Sequence, residues 1–122
     1  FASPSYRRFH DGPGLTTPKM RRYWDWYAPE AVRADPLVAA LRASDAELAA
    51  LPPLFLLAAG IDPLLSDTLD LARRLAALGR DDDLVVVPGV IHGFLQMTNA
   101  LEPARAALRR AGDAARRLIA RR

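Results

Sequence analysis

The 122-residue sequence contains no cysteine, which excludes a disulfide framework and a thiolate metal site and fits a reducing compartment. No apolar run approaches the roughly 20 residues that span a bilayer. The chain opens at Phe1 with neither Met nor a basic leader segment, so no signal peptide is read and a cytoplasmic location is expected. Serine is scarce as well: Ser3, Ser5, Ser44 and Ser66 are the four, and none lies in a G-x-S-x-G turn. These residues therefore supply no nucleophile elbow, and without cysteine there is no thiol alternative.

What is present is globular in character, with 51% hydrophobic and 25% charged residues and a net charge of +3. The charge is uneven. Residues 101 to 122 carry seven arginines against Glu102 and Asp113, a balance of +5, which leaves the rest slightly acidic. No aromatics interleave with these arginines, so the segment reads as a solvated helix face that ends in cations and not as a nucleic-acid surface.

The residues Phe1 to Leu15, with two Pro and two Gly, read as an ordered surface loop. Thr17-Pro18 reads as an N-cap with Pro at the first helical position. It opens a short helix whose Met20, Tyr23, Trp24 and Tyr27 share one face until Ala28-Pro29 ends it. That stripe packs as core or walls a ligand. A helical turn near Asp45 to Ala50 follows, capped by Ser44 or Asp45.

Leu54 to Ala58 is a continuous apolar run between Pro-Pro and Gly, the pattern of a parallel strand covered on both faces. Ser66 to Leu78 is an amphipathic helix with Leu69, Ala72, Leu75 and Leu78 inward, and Gly79 stops it. Leu84 to Val87 reads as a second strand. Pro103 opens a long helix to about Ala120, with Ala104, Ala107, Leu108, Ala111, Ala115, Leu118 and Ile119 available to pack. The fold class is α/β, a βαβα unit with a right-handed crossover. Two strands leave open edges, so the unit is expected to dock on a larger sheet or a second chain. Pairing of two copies through the edge strand at 84 to 87 would make a homodimer, beside which Asp81, Asp82 and Asp83 are a solvated turn or a guard against uncontrolled pairing.

Two motifs carry the chemistry. Gly60-Ile61-Asp62-Pro63-Leu64 follows the first strand and Pro88-Gly89-Val90-Ile91-His92-Gly93-Phe94 follows the second. In parallel α/β sheets functional side chains gather at the carboxyl ends of strands, so Asp62 and His92 are expected to meet there and hydrogen-bond. A carboxylate on one ring nitrogen fixes the imidazole tautomer and stabilises its cation, as the acid and base of a nucleophile triad require. Pro63 holds the acid loop in a turn, and Gly89 and Gly93 leave room for the imidazole.

The run from Leu51 to Leu64, with Asp67 beyond it and Gly89-Val90-Ile91-His92-Gly93-Phe94, resembles the C-terminal portion of the hormone-sensitive-lipase-like family of α/β-hydrolases. Thr16-Thr17-Pro18 leading to Met20, Trp24 and Tyr27, then Asp35-Pro36-Leu37, resembles the stretch after that family's sixth strand. The resemblance implies a serine esterase or lipase that acts on short to medium acyl esters without metal or cofactor. Asp62 matches the triad acid and His92 the triad base. Residues 1 to 53 would be the loops and helices after the nucleophile, and 54 to 122 the last two strands with the C-terminal helix. The serine and the oxyanion-hole glycines would then lie upstream or in another chain. Phe94, Trp24 and Tyr27 are the local candidates for substrate contact. A non-catalytic binding or assembly fragment on the same scaffold is the alternative, and the presence of His92 speaks against it.

Overall fold

The computed structural model describes residues 1–120; Arg121 and Arg122 of the basic segment lie outside the described residues. In chain order the elements are α1 (Pro4–Arg8), α2 (Thr17–Tyr27), α3 (Asp45–Ala49), β1 (Phe55–Ile61), α4 (Leu65–Ala77), β2 (Asp83–Ile91) and α5 (Glu102–Ala120), with short 3-10 turns at Glu30–Val32, Ala40–Arg42 and Phe94–Gln96. β1 and β2 pair in parallel, and α4 makes the crossover between them. Within the chain neither strand has a second partner among the described residues, so each leaves one edge open. No described helix is long and apolar enough to cross a membrane.

The helix termini follow local chemistry. Ser44 caps α3 in a complete capping box with Glu47. Gly79, at φ +73°, closes α4 through bonds from its own N–H to Ala76 and from Arg80 N–H to Leu75, the two bonds of a Schellman motif. α2 begins one residue earlier than expected. Thr16 is its cap, accepting from Lys19 N–H at 3.2 Å, and Pro18 takes the second helical position.

Several sequence expectations are corrected. Phe1 to Leu15 is not all loop, because Ser3-Pro4 starts the five-residue α1 and buries Ser5 and Tyr6. The α2 stripe is not core throughout: Tyr23 and Tyr27 are exposed, and the buried contacts come from Thr17 and Ala28 at its two ends. β1 is buried only at Ala58 and Ala59. Its amino-terminal half is partly open because two strands and their flanking helices leave it partly uncovered. α5 meets the core through Ala104, Ala107 and Ala114, not Ala115. Small side chains let the helix approach closely, while Leu108 and Ile119 point outward.

β2 runs on to Ile91 instead of stopping at Val87. Pairing holds from Phe55 with Asp83 to Ala59 with Val87, then slips, and resumes at Ile61 with Ile91. Residues 88 to 90 of β2 thus stand opposite the single residue Gly60, a bulge of the kind that re-aims the side chains beyond it. Gly60 is required there. A Cβ on it would meet the Val87 carbonyl oxygen at 3.0 Å and Pro88 Cα at 3.1 Å.

Arg80 and Asp82 fix the entry to both strands. Arg80 Nε and Nη2 grip Asp82 at 2.7 and 2.9 Å, Nη1 donates to the Leu51 carbonyl at 2.6 Å, and Nη2 to that of Pro52 at 2.7 Å. Asp82 also accepts from Leu54 N–H at 2.7 Å, so this aspartate of the acidic run is committed to structure. The hydrogen bonds from Arg80 hold the Asp82 carboxyl below the usual carboxylate range. A carboxyl depressed in the folded state adds stability above its unfolded value, about pH 4, which is lost as pH falls through the depressed value. Arg80→Ala is expected to lower the urea midpoint at pH 7 well beyond Arg73→Ala, which removes only the exposed pair with Asp70. The gap between the two variants should shrink toward pH 2.

Candidate active site

Ile61 with Ile91 is the last pair of the ladder, and Asp62 and His92 are the next residue on each strand. Adjacent strands lie about 4.8 Å apart, so two side chains leaving the same end of the sheet come within reach. His92 Nδ1 lies 2.8 Å from Asp62 Oδ2. A carboxylate only accepts, so Nδ1 carries a proton, and in the neutral ring Nε2 is then the atom with the lone pair.

Asp62 is buried at 6% exposure, whereas the His92 side chain is 45% exposed. The carboxylate is therefore enclosed and the imidazole faces outward. The second carboxylate oxygen, Oδ1, accepts from Leu64 N–H at 2.9 Å, and the Asp62 carbonyl accepts from Leu65 N–H at 3.1 Å. With both oxygens engaged, the plane of the carboxylate is set. Pro63, fully buried, locks the backbone between them. Gly93, at φ +78°, turns the chain directly after His92 into the 3-10 turn Phe94–Gln96.

An open cleft of about 320 Å³ lies over the pair, lined by Asp62, His92, Leu57, Leu65, Phe94 and Thr68 among others. Its walls are mainly apolar, and the half-exposed His92 is among the residues that line it. No serine among the described residues lines it. The Thr68 hydroxyl turns to the Leu64 carbonyl at 3.5 Å. No group of three or more His, Cys, Asp or Glu residues suited to a metal ion occurs among the described residues.

The structure thus gathers Asp62, His92 and Phe94 around one cleft. Phe94 is 4% exposed and packs with Ala59, Val90, Ala104 and Ala107, so it anchors the His turn to α5 as well as lining the cleft. Trp24 and Tyr27 stand elsewhere. Trp24 lines a separate depression with Phe1, Tyr6 and Asp67, and Tyr27, 64% exposed, stacks edge-on against Trp24 at 5.6 Å.

The acid loop has a support that local sequence patterns did not reveal. Ser5 and Tyr6 of α1 lie against the start of α4, where Ser5 bonds to Pro63 and Ser66 and the Tyr6 hydroxyl donates to Asp67 Oδ2 at 3.2 Å. Thr17 Oγ1 donates to the Tyr6 carbonyl at 2.8 Å and ties this segment to α2. Burial pushes the Asp67 carboxyl above its ordinary range. Burial, and then the neighbouring Asp67 charge, push the Tyr6 hydroxyl up as well. Ser3-Pro4 is a helix-start signature that would have revealed α1, but not where it docks.

Known proteins resemble this chain in sequence and in fold. The profile of a family described as an alpha/beta hydrolase fold matches residues 1–96. Human hormone-sensitive lipase is 43% identical over 63 residues, which is 52% of this chain and 6% of that protein. An ethyl acetate hydrolase of Pseudomonas putida is 34% identical over 102 residues, 83% of this chain and 31% of its own length. The crystal structure of carboxyl esterase 2 from the mycorrhizal fungus Tuber melanosporum superposes with a TM-score of 0.83 at 31% identity, covering 90% of this chain and 37% of that one. The chain therefore spans about a third or less of each of these relatives. The family match over residues 1–96, the sequence likeness to hormone-sensitive lipase and the likeness in shape to a carboxyl esterase place the chain in the hormone-sensitive-lipase-like group of the α/β-hydrolase family.

Proposed function

We propose that the protein carrying this chain hydrolyses carboxylic esters of short to medium acyl length, with this chain supplying the acid and the base of a Ser-His-Asp triad. In this reading the chain is the C-terminal portion of a single α/β-hydrolase domain, and the serine lies upstream or in another chain. The observation that carries the reading is the 2.8 Å contact between a buried carboxylate and a half-exposed imidazole that lines an apolar cleft. The relatives support it, since those named above include an ethyl acetate hydrolase and a carboxyl esterase.

The serine oxygen attacks the ester carbonyl while His92 Nε2 takes its proton. Asp62 stabilises the imidazolium and holds the ring in place. Collapse of the tetrahedral intermediate breaks the bond to the alcohol, which leaves with the proton from Nε2, and an acyl-enzyme remains. Water then attacks the acyl carbon, giving its proton to Nε2. As the second intermediate collapses, that proton returns to the serine and the carboxylic acid departs. Leu57, Leu65 and Phe94 give the cleft an apolar lining suited to an acyl chain.

Hydrolysis of a 4-nitrophenyl ester series from acetate to octanoate by the complete protein tests this. Turnover with a burst of nitrophenolate equal to the enzyme concentration is expected if deacylation limits the rate. A complete, folded protein that cleaves none of the series would overturn the proposal.

A further inference from the structure

α4 lacks a cap of its own. Its N-cap residue is Leu64, which has no polar side chain, and Asp62, the nearest carboxylate before the helix, is already committed to His92 and to Leu64 N–H. The first N–H groups of a helix have no partner within the helix and need one from elsewhere. For Ser66, the second residue of α4, that partner is the Ser5 hydroxyl at 3.0 Å, from a residue 61 positions away in sequence. The reverse bond also exists. Ser5 is the second residue of α1, whose cap residue Ser3 makes no capping bond, and Ser5 N–H donates to the Ser66 hydroxyl at 3.0 Å.

Each helix start is thus capped by the serine of the other. Ser5 Oγ has a further task, donating its proton to the Pro63 carbonyl at 2.5 Å. Pro63 directly follows Asp62, so this bond grips the acid loop one peptide beyond the carboxylate. Ser5 is 4% exposed and Pro63 is fully buried, so water does not replace these bonds without opening the loop.

We propose that Ser5 and Ser66 are positioning residues, a reciprocal cap that joins α1 to the acid loop and fixes Asp62 in the orientation His92 needs. The inference rests on the reading of Asp62 and His92 as orienter and base. Neither serine touches substrate. They act by holding the Asp62–Pro63–Leu64 turn, which a loosened α1 would leave free to shift relative to His92.

The test uses the complete protein with Ser5→Ala, Ser66→Ala, the double variant and Ser66→Thr, read by ester kinetics and by the low-field proton NMR signal of His92 Nδ1–H. A misplacement of this kind lowers the rate by about tenfold to a hundredfold. Ser5→Ala is expected to lose that much in kcat with KM unchanged, and its Nδ1–H signal should move upfield or broaden. Ser66→Ala, which loses the single bond from Ser5 N–H, should change both readouts less. The double variant should be no worse than Ser5→Ala, because the two serines act as one unit. Ser66→Thr, which keeps the hydroxyl, should match the wild type.

Ser5→Ala with a lowered melting temperature but unchanged kcat and unchanged Nδ1–H signal would overturn the proposal and leave the cap as plain structural support. If Ser5→Ala does not fold, Ser66→Ala decides by the same two readouts. If the wild type turns over no ester, the NMR readout alone decides: a signal altered by Ser5→Ala sustains the positioning role even though the esterase reading has failed, and an unaltered signal rejects it.

Discussion

His92→Ala in the complete protein is expected to lower kcat by about a millionfold, the scale seen when a triad base is removed. At 1.36 kcal/mol per decade that is about 8 kcal/mol of lost transition-state stabilisation. KM should change little, because the apolar residues lining the cleft remain in place and the imidazole contributes mainly when charge develops. The variant also leaves the Asp62 carboxylate buried with Leu64 N–H as its remaining side-chain partner, so some loss of stability accompanies the loss of rate. A melting curve and an initial-rate series, run on the same preparation, separate the two. A stable variant that retains more than a hundredth of the rate would remove His92 from the role of base.

Asp62→Asn is the more discriminating substitution, because the structure dictates which way the amide faces. Leu64 N–H needs an acceptor at the Oδ1 position, 2.9 Å away, so the amide oxygen takes that side and the amide nitrogen turns to His92. An N–H donor facing Nδ1 forces the imidazole proton onto Nε2, the atom that must accept the proton of the serine. The ring stays in place in the wrong tautomer, and a triad altered in this way loses about four orders of magnitude in kcat. Shape and hydrogen-bond number are conserved, so the melting temperature should stay close to that of the wild type. A loss of rate without a loss of stability is the expected signature. A variant with full activity would show that Asp62 does not orient the base.

Much of this site could be read from residue types. An apolar run ending in Gly60-Ile61-Asp62-Pro63 and a second ending in Ile91-His92-Gly93 place a carboxylate and an imidazole at neighbouring strand ends, and the structure puts the two side chains in contact. Helix α4 and the cap at Ser44 were legible for the same reason, since capping and periodicity are written in adjacent residues. β2 was read short because Pro88-Gly89 looks like the start of a loop. In the structure it is a bulge opposite Gly60, and the strand resumes beyond it.

What stayed hidden depends on distant contacts. Nothing near Ser5 announces that its hydroxyl will serve a helix 61 residues later, and nothing near Leu64 announces that α4 must borrow its cap. The seam of α5 was legible in part, since Ala104 and Ala107 stand among the residues read as able to pack. Hydrophobicity sets Leu108 and Ile119 beside them, but close approach selects small side chains, and Ala114 is buried where Ala115 was read. The aromatic face of α2 illustrates the limit of periodicity, which brings Trp24 and Tyr27 to one side of a helix without saying whether that side is covered.

Fluorophosphonate labelling of the complete protein, in the wild type and in His92→Ala, asks whether the imidazole of this chain activates a serine. Rapid labelling of one serine outside residues 1 to 122 in the wild type, with labelling of His92→Ala slowed by orders of magnitude, is the result predicted. Equal labelling rates in the two proteins, or a wild type that takes up no probe at all, would contradict the assignment of Asp62 and His92 as the acid and base of the site.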